Sequence, residues 1–227
     1  MIEDLVIVKR SKKARRVALR LDPVERVVNL VIPHRMPLKT AYKFVRQHKD
    51  WVRKTLDNLP EKVAFTHGTF LPVFGDQVRL DIEIDPTRKR TILKQYDDVL
   101  NVKTYQTDVT SRITTHLKKI ARAGLADIAS EKADMIDKEI KRVSIRDTKS
   151  RWGSCSQDGN MSFSWRLMFA PYGAIDYVVA HEVAHLIHMD HSRKFWNLCE
   201  ELSFDYKNGR RWIKENGNSL MSYGQKN

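Results

Sequence analysis

With 227 residues, 41% hydrophobic and 30% charged, the chain can bury a core and is neither disordered nor collagen-like. No apolar run approaches the roughly 18 residues of a membrane span, and two cysteines, Cys155 and Cys199, exclude a disulfide framework. The net charge of +13 is concentrated in residues 1–60, which hold 15 basic and 6 acidic side chains, whereas residues 61–106 hold 7 of each.

Met1-Ile2-Glu3-Asp4 is acidic where a secretory leader would be basic, so the expected location is a reducing cytoplasm, with no membrane partner. Strands are expected at 5–8, 17–21 and 27–32, with turns around Ser11-Lys12-Lys13 and Asp22-Pro23. One helix follows over 38–56, with Pro37 at its first position and Pro60 beyond its end. Strands return at 78–84, 91–93 and 99–102. Val109, Ile113, Leu117, Ile120, Leu125 and Ile128 then mark one amphipathic helix to about 134. A strand at 140–145, a polar turn at 154–159 and a strand from Met161 come next. Helices are expected at 175–187, 192–202 and 210–215. The change of period near 104–108 predicts a domain junction there.

His181-Glu182-Val183-Ala184-His185 is an H-E-x-x-H motif in a helical context. Histidines at i and i+4 share a helix face and can bind one tetrahedral zinc. Glu182 follows the first of them, where its carboxylate can take a proton from a zinc-bound water whose pKa falls toward about 7. A third ligand is needed. His191, just before the capping residue Ser192, can turn back to the metal; Glu200 or Glu201 on the next helix are alternatives. His188 lies about 10 Å along the axis from His181, too far to share the ion. The spacing of the three histidines equals that of metzincins, but His188 stands at the metzincin glycine. Ser219–Tyr223 resembles a Met-turn in wording only, in a terminus expected to fray.

Ser150-Arg151-Trp152-Gly153-Ser154-Cys155, Trp165-Arg166-Leu167, Ala170-Pro171, Asp176-Tyr177-Val178-Val179, the motif itself and His191-Ser192-Arg193-Lys194-Phe195-Trp196 follow in order. This series resembles the YgjP-like family of zinc metallopeptidases, or metal-dependent hydrolases. The resemblance extends into Arg16–Arg20, Val31-Ile32-Pro33 and Trp51-Val52; Phe163-Ser164-Trp165 departs mildly from it. It implies a zincin-like catalytic domain with Zn2+ on His181, His185 and His191 and Glu182 as general base. Some relatives are described as nucleotide pyrophosphatases, and the related SprT-like family acts on DNA-bound proteins.

The expected fold is therefore α+β: a β-rich basic domain with one helix over 1–105, then a zincin-like domain over 106–227 whose active-site helix packs on a small sheet. The expected function is zinc-dependent hydrolysis of a peptide or protein, a zinc-activated water attacking the carbonyl with Glu182 as base. One alternative is a metal-dependent nucleotide pyrophosphatase. Another is a nucleic-acid-binding protein with a structural zinc, closed by Cys155 as fourth ligand. Arg166, Tyr206 and Arg211 are candidates to stabilise an oxyanion. Trp152 and Trp165 read as core. The strand at 161–166 could be an edge that accepts a peptide, or could be paired on both sides. The basic run Lys9–Arg16 and the cations of the following helix could contact nucleic acid.

Overall fold

The computed structural model describes residues 2–149 and 151–225. Those residues form a mixed α+β chain with six α-helices and three small sheets, divided into two units, Met1–Glu61 and Lys62–Asn227.

In the first unit, β1 (Val6–Ser11), β2 (Ala18–Asp22) and β3 (Val27–Pro33) form a sheet in the order β1-β3-β2. β1 is parallel and β2 antiparallel to β3. Val28, Leu30 and Ile32 alternate along β3 and bury one face against Ala41, Val45 and Val52. The single helix expected over 38–56 is two helices, α1 (Leu38–Gln47) and α2 (Lys49–Asp57). The break is at His48, which leaves helical angles (φ −111°, ψ 23°) and donates from Nδ1 to the Phe44 carbonyl at 2.9 Å. No Pro or Gly marks it in the sequence. Pro37 is the N-cap of α1 rather than its first residue.

The second unit begins with β4 (Phe70–Val73), which the sequence reading missed, followed by β5 (Asp76–Ile84), β6 (Ile92–Tyr96) and β7 (Val99–Thr104). Their order is β4-β5-β7-β6, with β5 and β7 parallel. Leu71, Val73, Leu80, Leu100 and Val102 bury one face of this sheet in the same core as Ile113, Leu117, Ala121 and Leu125 of α3 (Thr110–Asp134). The Phe74 N–H also bonds the Met168 carbonyl at 2.8 Å. The expected junction at 104–108 thus falls inside this unit. The change of period there marks the passage from strand to helix, while the core continues across it.

β8 (Arg142–Arg146), β9 (Gly153–Cys155) and β10 (Asn160–Ser164) form the third sheet, in the order β8-β10-β9. β10 is paired on both sides, so it is β8 and β9 that stand at the edges. A 3-10 turn, Trp165–Phe169, leads to α4 (Tyr172–Ala184), and α5 (Arg193–Glu201) and α6 (Tyr206–Asn216) follow. α4 packs against β9, α3, α5 and α6. A buried ion pair locks this arrangement. Lys132 Nζ of α3 lies 2.5 Å from Asp176 of α4 and donates to the Leu202 carbonyl at 2.6 Å, while Asp176 accepts from the Phe204 N–H at 2.7 Å. The expected fraying near Ser219–Tyr223 is absent: Gly217–Ser222 is a 3-10 turn with Leu220 and Met221 buried, and Tyr223 bridges to Val63. Among the described residues no helix is long and apolar enough to cross a membrane.

Candidate metal centre

Almost every side of α4 is apolar and buried, through Ile175, Val178, Val179, Ala180, Val183 and Ala184. His181 and His185, one turn apart, emerge at its C-terminal end. The helix stops at Ala184, three residues short of expectation, and His185 is its cap. From there the chain folds back. Asp190 Oδ1 accepts from the Ser192 N–H at 3.2 Å, and Ser192 caps α5 by accepting from the Phe195 N–H at 3.5 Å. This turn carries His191 to His181, with the two Nε2 atoms 3.2 Å apart.

Nitrogens of His181, His185 and His191 all lie within 4.8 Å of one another. A tetrahedral ion with bonds of about 2.0–2.1 Å to nitrogen spaces its ligands about 3.3 Å apart, which the 3.2 Å between His181 and His191 matches, so the triad could hold a metal ion. The tautomers also suit. His185 Nδ1 donates to the His188 carbonyl at 2.9 Å, which leaves its Nε2 lone pair for an ion. Burial, then His185, His191 and Arg210, pushes His181 down to about 4, so its ring is neutral. The fully buried Phe195 ring packs 4.5 Å from His185, 4.9 Å from His181 and 4.7 Å from His191. Three imidazole nitrogens are a donor set for a transition metal rather than for Mg2+ or Ca2+.

Glu182 packs against Gly153 of β9. Only 6% of it is exposed. Burial pushes its carboxyl up to about 7, against the opposing pull of the Arg151 charge and the Cys155 N–H. Gly153 makes room for it: a Cβ there would meet Glu182 Cγ at 2.5 Å. A pocket of about 240 Å³ opens beside Glu182 and His181, lined by Arg151, Trp152, Gly153, Tyr177, Val178 and Ile213.

Other candidates lie elsewhere. Glu200 and Glu201 are exposed on α5, outside the cluster. His188 contributes its carbonyl rather than its ring. Cys155 is also outside the cluster, and burial with the nearby Glu182 pushes its thiol up to about 11. Trp165 is core, as expected; Trp152 packs half-buried against that core and also lines the pocket. Arg166 is buried against Trp165 and pairs with Asp147 at 3.2 Å. The Tyr206 hydroxyl accepts from Arg210 at 2.9 Å, and Arg211 donates to Asn208. Arg151, Gly153 and Tyr177 stand in segments that carry the family resemblance, but the sequence assigns no role to them or to Arg210. The Arg-Trp-Gly-Ser-Cys segment was the one available signal for the first two.

A family model described as YgjP-like, metallopeptidase domain, matches residues 15–216. Neither a curated protein nor a solved structure matches the chain.

Proposed function

The chain belongs to the YgjP-like metallopeptidase family, and on that premise we propose that it is a zinc-dependent peptidase with Glu182 as its general base and His181, His185 and His191 as its zinc ligands. The observation that carries this reading is the convergence of three ring nitrogens beside a buried carboxyl that is not one of them. A bound zinc would supply Lewis acidity and bring the pKa of water down toward 7. The Glu182 carboxylate, held by the Cys155 N–H and backed by Gly153, takes the proton of the attacking water and returns it to the leaving amine. Its elevated proton affinity suits both halves of that task. The buried Phe195 ring packs against all three imidazoles and helps to fix their orientation.

The pocket supports a peptide over a nucleotide. Trp152, Tyr177, Val178 and Ile213 give it an apolar lining, and Arg151 is its one Lys or Arg, where a polyphosphate would call for several cations. A structural zinc is less suited to these residues, because the cluster offers three ligands and Cys155 is not among them. The free thiols of Cys155 and Cys199 fit a reducing cytoplasm.

The test is a fluorogenic peptide library given to zinc-loaded protein, with nucleoside triphosphates in a parallel assay. Glu182→Gln should keep its zinc and its fold and lose about 10²-fold or more in peptide turnover. Unchanged turnover removes Glu182 as base. Triphosphate cleavage without peptide cleavage replaces the peptidase reading.

A further inference from the structure

We propose that one end of the first unit binds the phosphodiester backbone of a nucleic-acid duplex. β1 and β3 run parallel and both finish at this end, where the antiparallel β2 begins. The connection from β1 to β2 must therefore cross the end of β3. It carries Lys12, Lys13, Arg15 and Arg16, all exposed. The chain leaving β3 adds the exposed Arg35. Arg10 ties the two segments together, its Nη1 donating to the carbonyls of His34 at 2.6 Å and Met36 at 3.0 Å. Between them is an open hollow of about 570 Å³ lined by Lys12, Ala14, Pro33, His34 and Arg35.

The acidic side chains of this unit are placed elsewhere. Glu3 and Asp4 precede β1, and Asp22 and Glu25 lie where β2 turns into β3, both at the opposite end of the sheet. Arg46 pairs with Glu3 at 2.6 Å, so α1 runs away from the basic end and delivers α2 to the acidic one. Arg26, in the β2–β3 turn, donates to the Pro60 carbonyl at 2.6 Å and so keeps the far side of α2 there as well. At the basic end Lys12, Lys13, Arg15, Arg16 and Arg35 gather where no described acidic side chain offsets them, whereas the cations of α2 share the acidic end. Such a field attracts polyanions.

What the basic end lacks narrows the partner. A single-strand surface relies on aromatic platforms for stacking. Here Tyr42 and Phe44 pack against the core, and the exposed Trp51 belongs to α2. Leu38 is the large apolar side chain exposed at this end, too little to enter a bilayer. Closely spaced cations without stacking partners match the phosphates of a duplex, read without regard to sequence.

The test uses full-length protein and anisotropy of labelled 20-base-pair DNA and RNA duplexes, the matching single strands, and phosphatidylserine vesicles. Duplex affinity should fall about 10²- to 10³-fold between 50 and 200 mM salt if four or five phosphates are neutralised. K12E/K13E/R15E should weaken duplex binding at least about tenfold and flatten the salt slope by about 3. K49E/R53E/K54E on α2, with the same change of net charge, should cost less than about twofold. The milder K12Q/K13Q/R15Q guards against misfolding and should reduce the slope in the same direction. Comparison of the two duplexes identifies which one is preferred. Equal loss in the two reversal variants, single strands bound as tightly as duplex, vesicles bound in preference, or no duplex binding at 50 mM salt would each overturn the proposal. Zinc content should be the same in all variants.

Discussion

Gly153 decides where the Glu182 carboxylate can sit. A methyl group at 153 occupies the space of the Glu182 Cγ and Oε1, so Gly153→Ala must push the carboxylate off the Cys155 N–H. The three atoms nearest a Cβ at 153 all belong to Glu182 and none to a histidine. Gly153→Ala should therefore retain about one zinc per chain while turnover falls about 10- to 100-fold, since displacements near 1 Å cost that much; metal analysis alongside peptide kinetics separates the two. His191→Ala should do the reverse and lose most of its zinc, because it removes one corner of the cluster. Full zinc retention would return attention to Glu200 or Glu201. Residues of this site differ in how readable they are. His181, Glu182 and His185 are spelled within one helical turn, and Ser192 signals the turn that brings in His191. Gly153 touches Glu182 across 29 positions of sequence, and that contact leaves no local periodicity to read.

The buried Lys132–Asp176 pair is a polar joint between α3, α4 and the C-terminal end of α5. Removing one partner strands the other in an apolar interior, and Lys132→Met also takes a donor from the Leu202 carbonyl. Lys132→Met should cost about 3–5 kcal/mol in urea unfolding of the second unit. A loss below 1 kcal/mol would mean that water replaces the lysine. Periodicity read α3 to within a residue at its start, because Ile113, Leu117, Ala121, Leu125 and Ala129 keep one stripe over 25 residues. The same period continues through His48, where the backbone leaves helical angles and the side chain also bonds the Phe44 carbonyl, features that no pattern of apolar residues reveals. β9 has three residues, too few for an alternation to register, and was read as part of a turn.

The two units have separate cores that share no residue. All three metal-cluster histidines belong to the second. Chelation of the zinc should therefore lower protection from hydrogen exchange across 62–227 and leave peptides from 6–57 unchanged. At free zinc 100-fold above its Kd the stabilisation removed is about 2.7 kcal/mol. Equal loss of protection in both units would show that they unfold together. Composition and charge revealed the basic character of the first 60 residues, yet not the boundary after Glu61, which no Gly- or Ser-rich linker announces.

The three sheets share one wiring: β1-β3-β2, β5-β7-β6 and β8-β10-β9 each place the last strand of a trio between the other two, parallel to the first and antiparallel to the second. During synthesis the first two strands of each trio leave the ribosome before the strand that pairs with them both. The antiparallel neighbours can close as local hairpins, and the earliest strand must wait to be captured by a hairpin edge. In the first and third trios the earliest strand thus waits unpaired for the time its successor takes to be translated, whereas β5 already has β4 as an antiparallel partner. β1 carries Lys9 and Arg10 and β8 carries Arg142 and Arg146, charges of the kind that discourage one unpaired strand from joining another.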